Sequence, residues 1–276
     1  MFKRSFASKD RVGKAKKISK RSFRDYAKER LRAQLNAHAS PPSANASPKL
    51  TSSIITLVVG KDQRLFAAHE DVLSLSPFFA DACRDQFFQA NSKRIALPDE
   101  EPEIFSAVLE YLYKGDYTPR LLHDKKRNTW VLEDTTELSL SPKLDAARDK
   151  AESATIYHHS FGERILRDTA VYCTADKFGL DELKRLALRK QGLQTGIEVA
   201  TILHSARYAY ENTPETDSRL RAHYLALIIR SRKTFKRSGT MQMEMEKGGA
   251  LWFDLFVALA NFCDDLESGQ VRTLIT

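Results

Sequence analysis

The chain's seven histidines and three cysteines are the side chains best suited to chemistry, so their spacing is the first test for a reaction or a metal. His158 and His159 are adjacent in an expected loop, where neighbouring side chains point apart, a poor geometry for one metal. His69 sits in Ala68-His69-Glu70, where a strand pattern gives way to a helical one, and that junction favours a structural role. His204 and His223 stand alone on expected helices and read as surface or packing residues. Cys83, Cys173 and Cys263 contain no Cys-x-x-Cys pair, so neither a zinc site nor a disulfide framework is indicated. Free thiols suit a reducing compartment, the cytosol or the nucleus. Glu100-Glu101 reads as an acidic pair at a helix start, and Asp264-Asp265 as a solvated helix end. Signatures for a nucleophile elbow, a zinc protease helix, a phosphate-binding loop and a dinucleotide fold are all missing. The expectation is no catalytic, cofactor-binding or metal-ligating residue and no cofactor. An enzyme would require titratable groups gathered, without a sequence signal, in one deep pocket.

Charge is segregated. The first 50 residues hold 14 Lys and Arg against Asp10, Asp25 and Glu29, a net +11, which leaves the other 226 residues at −3. The formal +8 therefore comes from a tail, and the body is nearly neutral, no argument for a nucleic-acid-binding fold. No apolar run reaches the roughly 18 residues of a membrane span. The first charges are not followed by the apolar stretch of a secretory signal, so none is expected.

Residues 1–50 read as a disordered basic tail and linker. Ser40 to Pro48 has linker composition, and Ser22 could cap a short helix bearing Phe23, Ala27, Leu31 and Leu35 on one stripe. The body begins with a β-branched run, Ile54 to Val59, turning at Gly60-Lys61-Asp62 into a second strand, Arg64 to Ala68. A helical pattern starts at Glu70, and Ser76-Pro77 begins a second helix. Arg94 to Leu97 is a third strand. Pro102 opens a helix with Ile104, Phe105, Val108, Leu109, Leu112 and Tyr113 on its apolar face, and Gly115 closes it. Residues 118–158 read as an exposed insertion with one strand at Thr129 to Leu132. The helical pattern resumes at Ile165 and ends on Gly179, and Leu180 to Leu188 forms a further helix. Three more helices are expected at about 197–210, 217–235 and 249–266, with a loop bracketed by Ser238-Gly239 and Gly248-Gly249.

Four phrases in this order resemble one known fold: Thr56-Leu57-Val58-Val59-Gly60; Ala68-His69-Glu70-Asp71-Val72-Leu73 with Ser76-Pro77-Phe78-Phe79; Arg94-Ile95-Ala96-Leu97-Pro98; and Phe105 to Tyr117. Together with Ala175-Asp176-Lys177-Phe178-Gly179-Leu180-Asp181-Glu182-Leu183-Lys184 they are similar to the BTB/POZ family, in the variant of filamentous-fungal proteins that carry a C-terminal helical extension. The resemblance implies an α+β fold, a short-stranded sheet flanked by a helical cluster. It assigns residues 51–192 to the BTB/POZ domain and 193–276 to an all-helical extension. It also implies a non-enzymatic protein-interaction module, an adaptor or scaffold that self-associates or serves as substrate receptor for a cullin-type ubiquitin ligase.

Family members that bind cullins carry a hydrophobic-x-Glu signature between the helical hairpin and the third strand. Phe87-Phe88-Gln89 stands there, with an amide in place of the carboxylate, and the lost charge-assisted bond is worth about 1 kcal/mol. Phe87, Phe88, Gln89 and Tyr113 are the partner-binding residues the resemblance points to. Dimeric members often have an Asp before the first strand, where this chain has Ser52-Ser53-Ile54.

The basic cluster Lys14, Lys16, Lys17, Lys20 and Arg21 admits several readings. It fits nuclear targeting, a salt-dependent and sequence-blind contact with nucleic acid or anionic membrane, a mitochondrial presequence, or a solvated tail. Nucleus or cytoplasm is expected, with the mitochondrion a lesser alternative. The competing function is a nuclear regulatory factor whose tail touches nucleic acid or chromatin while the body recruits partners. Trp252, Phe253, Phe256, Val257 and Phe262 read first as helix–helix packing in the extension, and second as an open face for a partner.

Overall fold

In the first strand every second side chain is apolar and buried, the period of a half-buried strand. β1 (Ile54–Val59) turns Ile55, Leu57 and Val59 inward and pairs antiparallel with β2 (Arg64–His69). Gly60 makes the turn at a φ of 75°. A Cβ there would lie 3.0 Å from Pro102 and 3.2 Å from the Glu100 carbonyl, so glycine suits both backbone and space. Two short helices, α1 (Glu70–Leu73) and α2 (Pro77–Gln86), lead to β3 (Arg94–Leu97), which lies parallel to β1 on its other side. This computed structural model describes residues 53–86, 94–125, 128–133 and 153–267.

The helical hairpin starts as the sequence predicts. Ser76 is fully buried, and its hydroxyl donates to the Phe178 carbonyl at 2.6 Å while standing 3.5 Å from the Phe79 amide. α3 (Pro102–Lys114) has proline in its first turn and Gly115, left-handed, after its last. Its inner face meets an aromatic cluster: Phe105 lies edge-on to Phe66 at 5.2 Å, and Phe79 lies 4.8 Å from Phe178.

The expected exposed insertion contains more structure than its single strand. Thr129 to Leu132 is indeed a strand, β5, but it pairs with β4 (Leu121–Asp124) in a hairpin. A second hairpin joins β6 (Thr155–His158) to β7 (Glu163–Leu166). Tyr117 and Ile156 are core residues, so both margins of the segment are anchored. A four-residue strand flanked by polar sequence carries too few periods to be seen, which is why β6 escapes the sequence pattern. Ile165 and Leu166, paired with Ile156 and Thr155, close a strand rather than opening a helix.

α4 (Arg167–Lys177) runs through the middle, with every residue from Asp168 to Ala175 buried, and α5 (Asp181–Gln191) packs against it. Gly179, at a φ of 69°, lets the Leu180 amide reach back to the Ala175 carbonyl at 2.8 Å, closing α4 where the sequence placed its cap. Beyond it come α6 (Val199–Asn212), α7 (Ser218–Arg230), α8 (Arg232–Phe235), α9 (Gly239–Glu246) and α10 (Ala250–Glu267). The expected helix over 217–235 is interrupted at Ser231, and the expected loop before α10 holds α9. One hydrophobic cluster spans the sheet, α3, α4, α5 and parts of α6 and α7, while Leu203, Ile228, Ile229, Phe235 and Leu255 form a smaller second one.

Candidate protein-interaction surface

Of the sequence-predicted partner residues, Phe87, Phe88 and Gln89 lie outside the described residues, as do Lys14, Lys16, Lys17, Lys20 and Arg21. Tyr113 is on the outer side of α3 and nearly half exposed. Its hydroxyl accepts a hydrogen bond from the His69 amide at 3.0 Å and sits 2.7 Å from His69 Nδ1. His69 is thus tied into the junction between β2 and α1, the structural role its position suggests, and it fixes the tyrosine ring at the surface.

Two residues and one residue before Tyr113, at the same end of α3, Tyr111 and Leu112 line an open groove of about 380 Å³ together with Leu75, Gly115, Leu180 and Glu182. Leu75 is 64% exposed, although it lies between two buried positions of the helical hairpin, Leu73 and Ser76. The groove is the kind of shallow apolar surface that accepts a side chain from another protein. Sequence reasoning missed Leu75 because the turn between α1 and α2 inverts the helical period there.

A larger cleft, about 590 Å³, gathers Asp99, Glu100, His158, Cys173, Lys177 and Tyr208, the type of cluster an enzyme would need. Its groups, however, are occupied with one another. Glu100 is buried and binds Lys177 at 2.5 Å, and Thr174 donates to its other oxygen at 3.3 Å. His158 lies between Ser160 Oγ at 3.1 Å and Tyr208 Oη at 3.1 Å, and burial holds its imidazole below the ordinary histidine range. Burial, followed by the charges of Asp176 and Asp217, pushes the Cys173 thiol far up, so it remains protonated and a poor nucleophile at neutral pH. Adjacent His159 turns toward Glu101, with its Nδ1 at 2.9 Å and its amide at 2.8 Å. Glu100 and Glu101 are therefore long-range ties, where the sequence suggested only a helix-start pair. Among the described residues no group of three or more His, Cys, Asp or Glu side chains could hold a metal, and no helix is long and apolar enough to cross a membrane.

Two buried polar centres were invisible in the sequence. Lys190 has no exposed side-chain surface; its ammonium pairs with Asp116 at 2.5 Å, donates to the carbonyls of Tyr117 and, at 2.8 Å, Pro119, and lies 3.6 Å over the Tyr117 ring. Burial lowers its pKa, and Asp116 opposes that shift. Beside it, the buried Asp168 carboxyl is raised by desolvation, although Gln194 and the Tyr117 hydroxyl donate to it. The second centre is Glu244 of α9, surrounded by Lys247 at 2.5 Å, Arg207 at 3.2 Å and His204 at 3.3 Å. Burial works to raise its pKa, but those cations outweigh it and hold the carboxyl low. His204 is accordingly not alone on its helix: it bridges Glu244 and, at 3.5 Å, Glu163.

α10 divides the aromatic residues noted in the sequence. Trp252 and Phe262 pack on the second core, whereas Phe253 and Phe256 are 69% and 70% exposed and Val257 is 40% exposed. All three cysteines are free, and only Cys263, also on α10, is exposed.

The polar groups named in the cleft and in the two buried centres are tied to one another, and large apolar side chains reach the surface at Leu75, Tyr113, Phe253 and Phe256. No curated protein matches the chain. The BTB/POZ domain family matches residues 51–141, the sheet, the helical hairpin, α3 and the first inserted hairpin. A BTB/POZ domain is a protein-interaction module, it implies protein partners and self-association, and this chain carries one over residues 51–141.

Proposed function

We propose that the chain is a non-enzymatic adaptor whose BTB/POZ module extends through α5 to about residue 192, and that it acts as substrate receptor for a cullin-type ubiquitin ligase. The BTB/POZ match carries this reading. Exposed Tyr113, held by His69, and the open groove around Leu75 support it as apolar docking points on α3 and the helical hairpin. Phe87 and Phe88 supply the hydrophobic part of the cullin signature, and Gln89 retains an acceptor without the charge. Titrating the purified chain with the N-terminal domain of a cullin tests it. Wild type should bind, Phe87→Ala should weaken binding at least tenfold, and Gln89→Glu should tighten it about fivefold. If neither wild type nor Gln89→Glu binds, the ligase reading fails, leaving an adaptor for other proteins.

The charge segregation favours a second reading, a nuclear regulatory factor with a tail that contacts nucleic acid or chromatin. Deleting residues 1–38 should then abolish nuclear retention and salt-sensitive DNA binding. Retention and binding that survive the deletion would remove this alternative.

A further inference from the structure

On α10 the exposed residues Phe253, Phe256, Val257, Ala260 and Asp264 follow steps of three and four, one continuous stripe. It is the face opposite Leu251 and Leu255, which are buried. Two ring side chains about 70% exposed in successive turns are expensive to leave in water, so this face calls for a partner.

The order of residues along the stripe says which partner. When a second copy of the helix is laid against the first in the opposite direction, with the two-fold between positions 256 and 257, Phe253 faces Ala260 and Phe256 faces Val257. Large meets small at one layer, and ring meets branched aliphatic at the other, the interdigitation that close helix pairing requires. The charges agree. Asp264 sits in the last turn of α10, which has no basic residue, where a negative charge is unfavourable to its own helix dipole. In the antiparallel pair it stands opposite Gly249, at the exposed amino end of the other α10, where a carboxylate is favoured. A parallel pair would instead bring the two acidic ends together.

We infer that the exposed face of α10 pairs antiparallel with the same face of a second copy of this chain, forming a two-fold contact separate from any made by the BTB/POZ domain. Such an isologous patch repeats each contact twice, so a short stripe suffices to reinforce an assembly. Where the BTB/POZ domain also pairs, the added two-fold produces a larger oligomer.

Two measurements on the full chain test the inference. Light scattering after size exclusion should show that Phe253→Glu/Phe256→Glu halves the assembled mass, with unfolding temperature unchanged because both positions are exposed. The apparent dissociation constant should rise at least about thirtyfold. Oxidative crosslinking reads the direction. In a Cys263→Ser background, Val257→Cys lies beside its own copy near the two-fold and should form a disulfide-linked dimer. Native Cys263 lies about 20 Å along the axis from its copy in this arrangement and should not. Val257→Cys would crosslink in either direction, so crosslinking through native Cys263 would establish a parallel pair and overturn the assignment. An unchanged mass together with no crosslink at Val257→Cys would overturn the pairing altogether.

Discussion

Replacing Lys190 with methionine should be among the most destabilising single changes on the surface of α5 that meets the loop after α3. Methionine keeps the length and apolar stem of the side chain but strands the Asp116 carboxylate and the carbonyls of Tyr117 and Pro119. Breaking a buried ion pair from one side costs about 3–5 kcal/mol. The lower end applies here, because Asp116 keeps a quarter of its side chain in water and accepts hydrogen bonds from the Tyr117 amide at 2.7 Å and the Leu121 amide at 3.0 Å. About 3 kcal/mol is a large share of the 5–15 kcal/mol typical of a folded domain. Adding Asp116→Asn to Lys190→Met removes the stranded charge and leaves an acceptor for one of those two amides, which bind different carboxylate oxygens, so it should restore about 1 kcal/mol. Urea unfolding followed by circular dichroism measures both, comparing midpoints at a common slope. A loss below about 1 kcal/mol for the single variant, or a double variant less stable than the single, would refute the assignment of Lys190 as a charged pin.

Other perturbations probe the remaining ties and the surface. The folded-state pKa values of His158 and His223 are lowered by burial, so folding favours their neutral forms; their contribution is present above the unfolded value near 6.5 and is lost as pH falls through the folded values. The unfolding temperature should therefore rise from pH 5 to 7.5, and His158→Gln should flatten part of that slope. Glu110, Asp217 and Glu244, whose pKa values are held low, act in the same direction but only below about pH 4.5. Ser205→Ala should cost about 1–3 kcal/mol, since Ser205 Oγ, fully buried, accepts from the Leu166 amide at 2.8 Å and alanine leaves that amide without its acceptor; loss of amide-exchange protection at Leu166 checks the cause. Leu75→Arg should change stability by no more than about 0.5 kcal/mol while weakening capture of any partner seated in the groove beside Tyr111, measured by titration with that partner.

Legibility followed the range of the interactions. β1, α3 and the close of α4 were readable because alternation, Pro102, Gly115 and Gly179 are local signals, each acting within a turn or a strand. Lys190 was not, because it occurs in the polar run Arg189-Lys190-Gln191 and its partners at Tyr117 and Pro119 are over seventy residues away. Nothing within a helical turn distinguishes it from a solvated lysine. α9 failed for a related reason. Gly-Thr-Met-Gln-Met-Glu-Met-Glu has no apolar stripe, and the helix is held by Glu244 reaching Arg207 and His204 on α6. The partition of α10 was open to inspection, since Trp252 and Phe262 fall on the Leu251–Leu255 side of a helical projection while Phe253 and Phe256 fall opposite. Composition marked the element, and only periodicity gives the two faces different fates.

The kind of contact that joins the later helices to the BTB/POZ region bears on how an adaptor can work. Apolar packing alone lets helices slide by fractions of a turn, whereas a buried hydrogen bond is satisfied in one register. Here the joints are of the second kind. Ser205 of α6 holds the end of β7, Tyr224 of α7 meets Thr169 of α4 at 2.5 Å, and Tyr172 of α4 binds both oxygens of Asp217, which also pairs with Lys184 at 2.7 Å. Burial and the neighbouring Asp217 raise the Tyr172 hydroxyl well above the usual phenol range, so it stays a donor throughout physiological pH. A protein seated on the groove beside Tyr111 and another seated on α10 are then held at a fixed separation and angle, because α4, α6 and α7 cannot re-register without stranding these groups. Rigid spacing of two surfaces is what distinguishes a scaffold from a tether, and Tyr172→Phe separates the two. It should leave both surfaces chemically intact while loosening the joint between them, so binding at each site persists and any coupling between the sites declines.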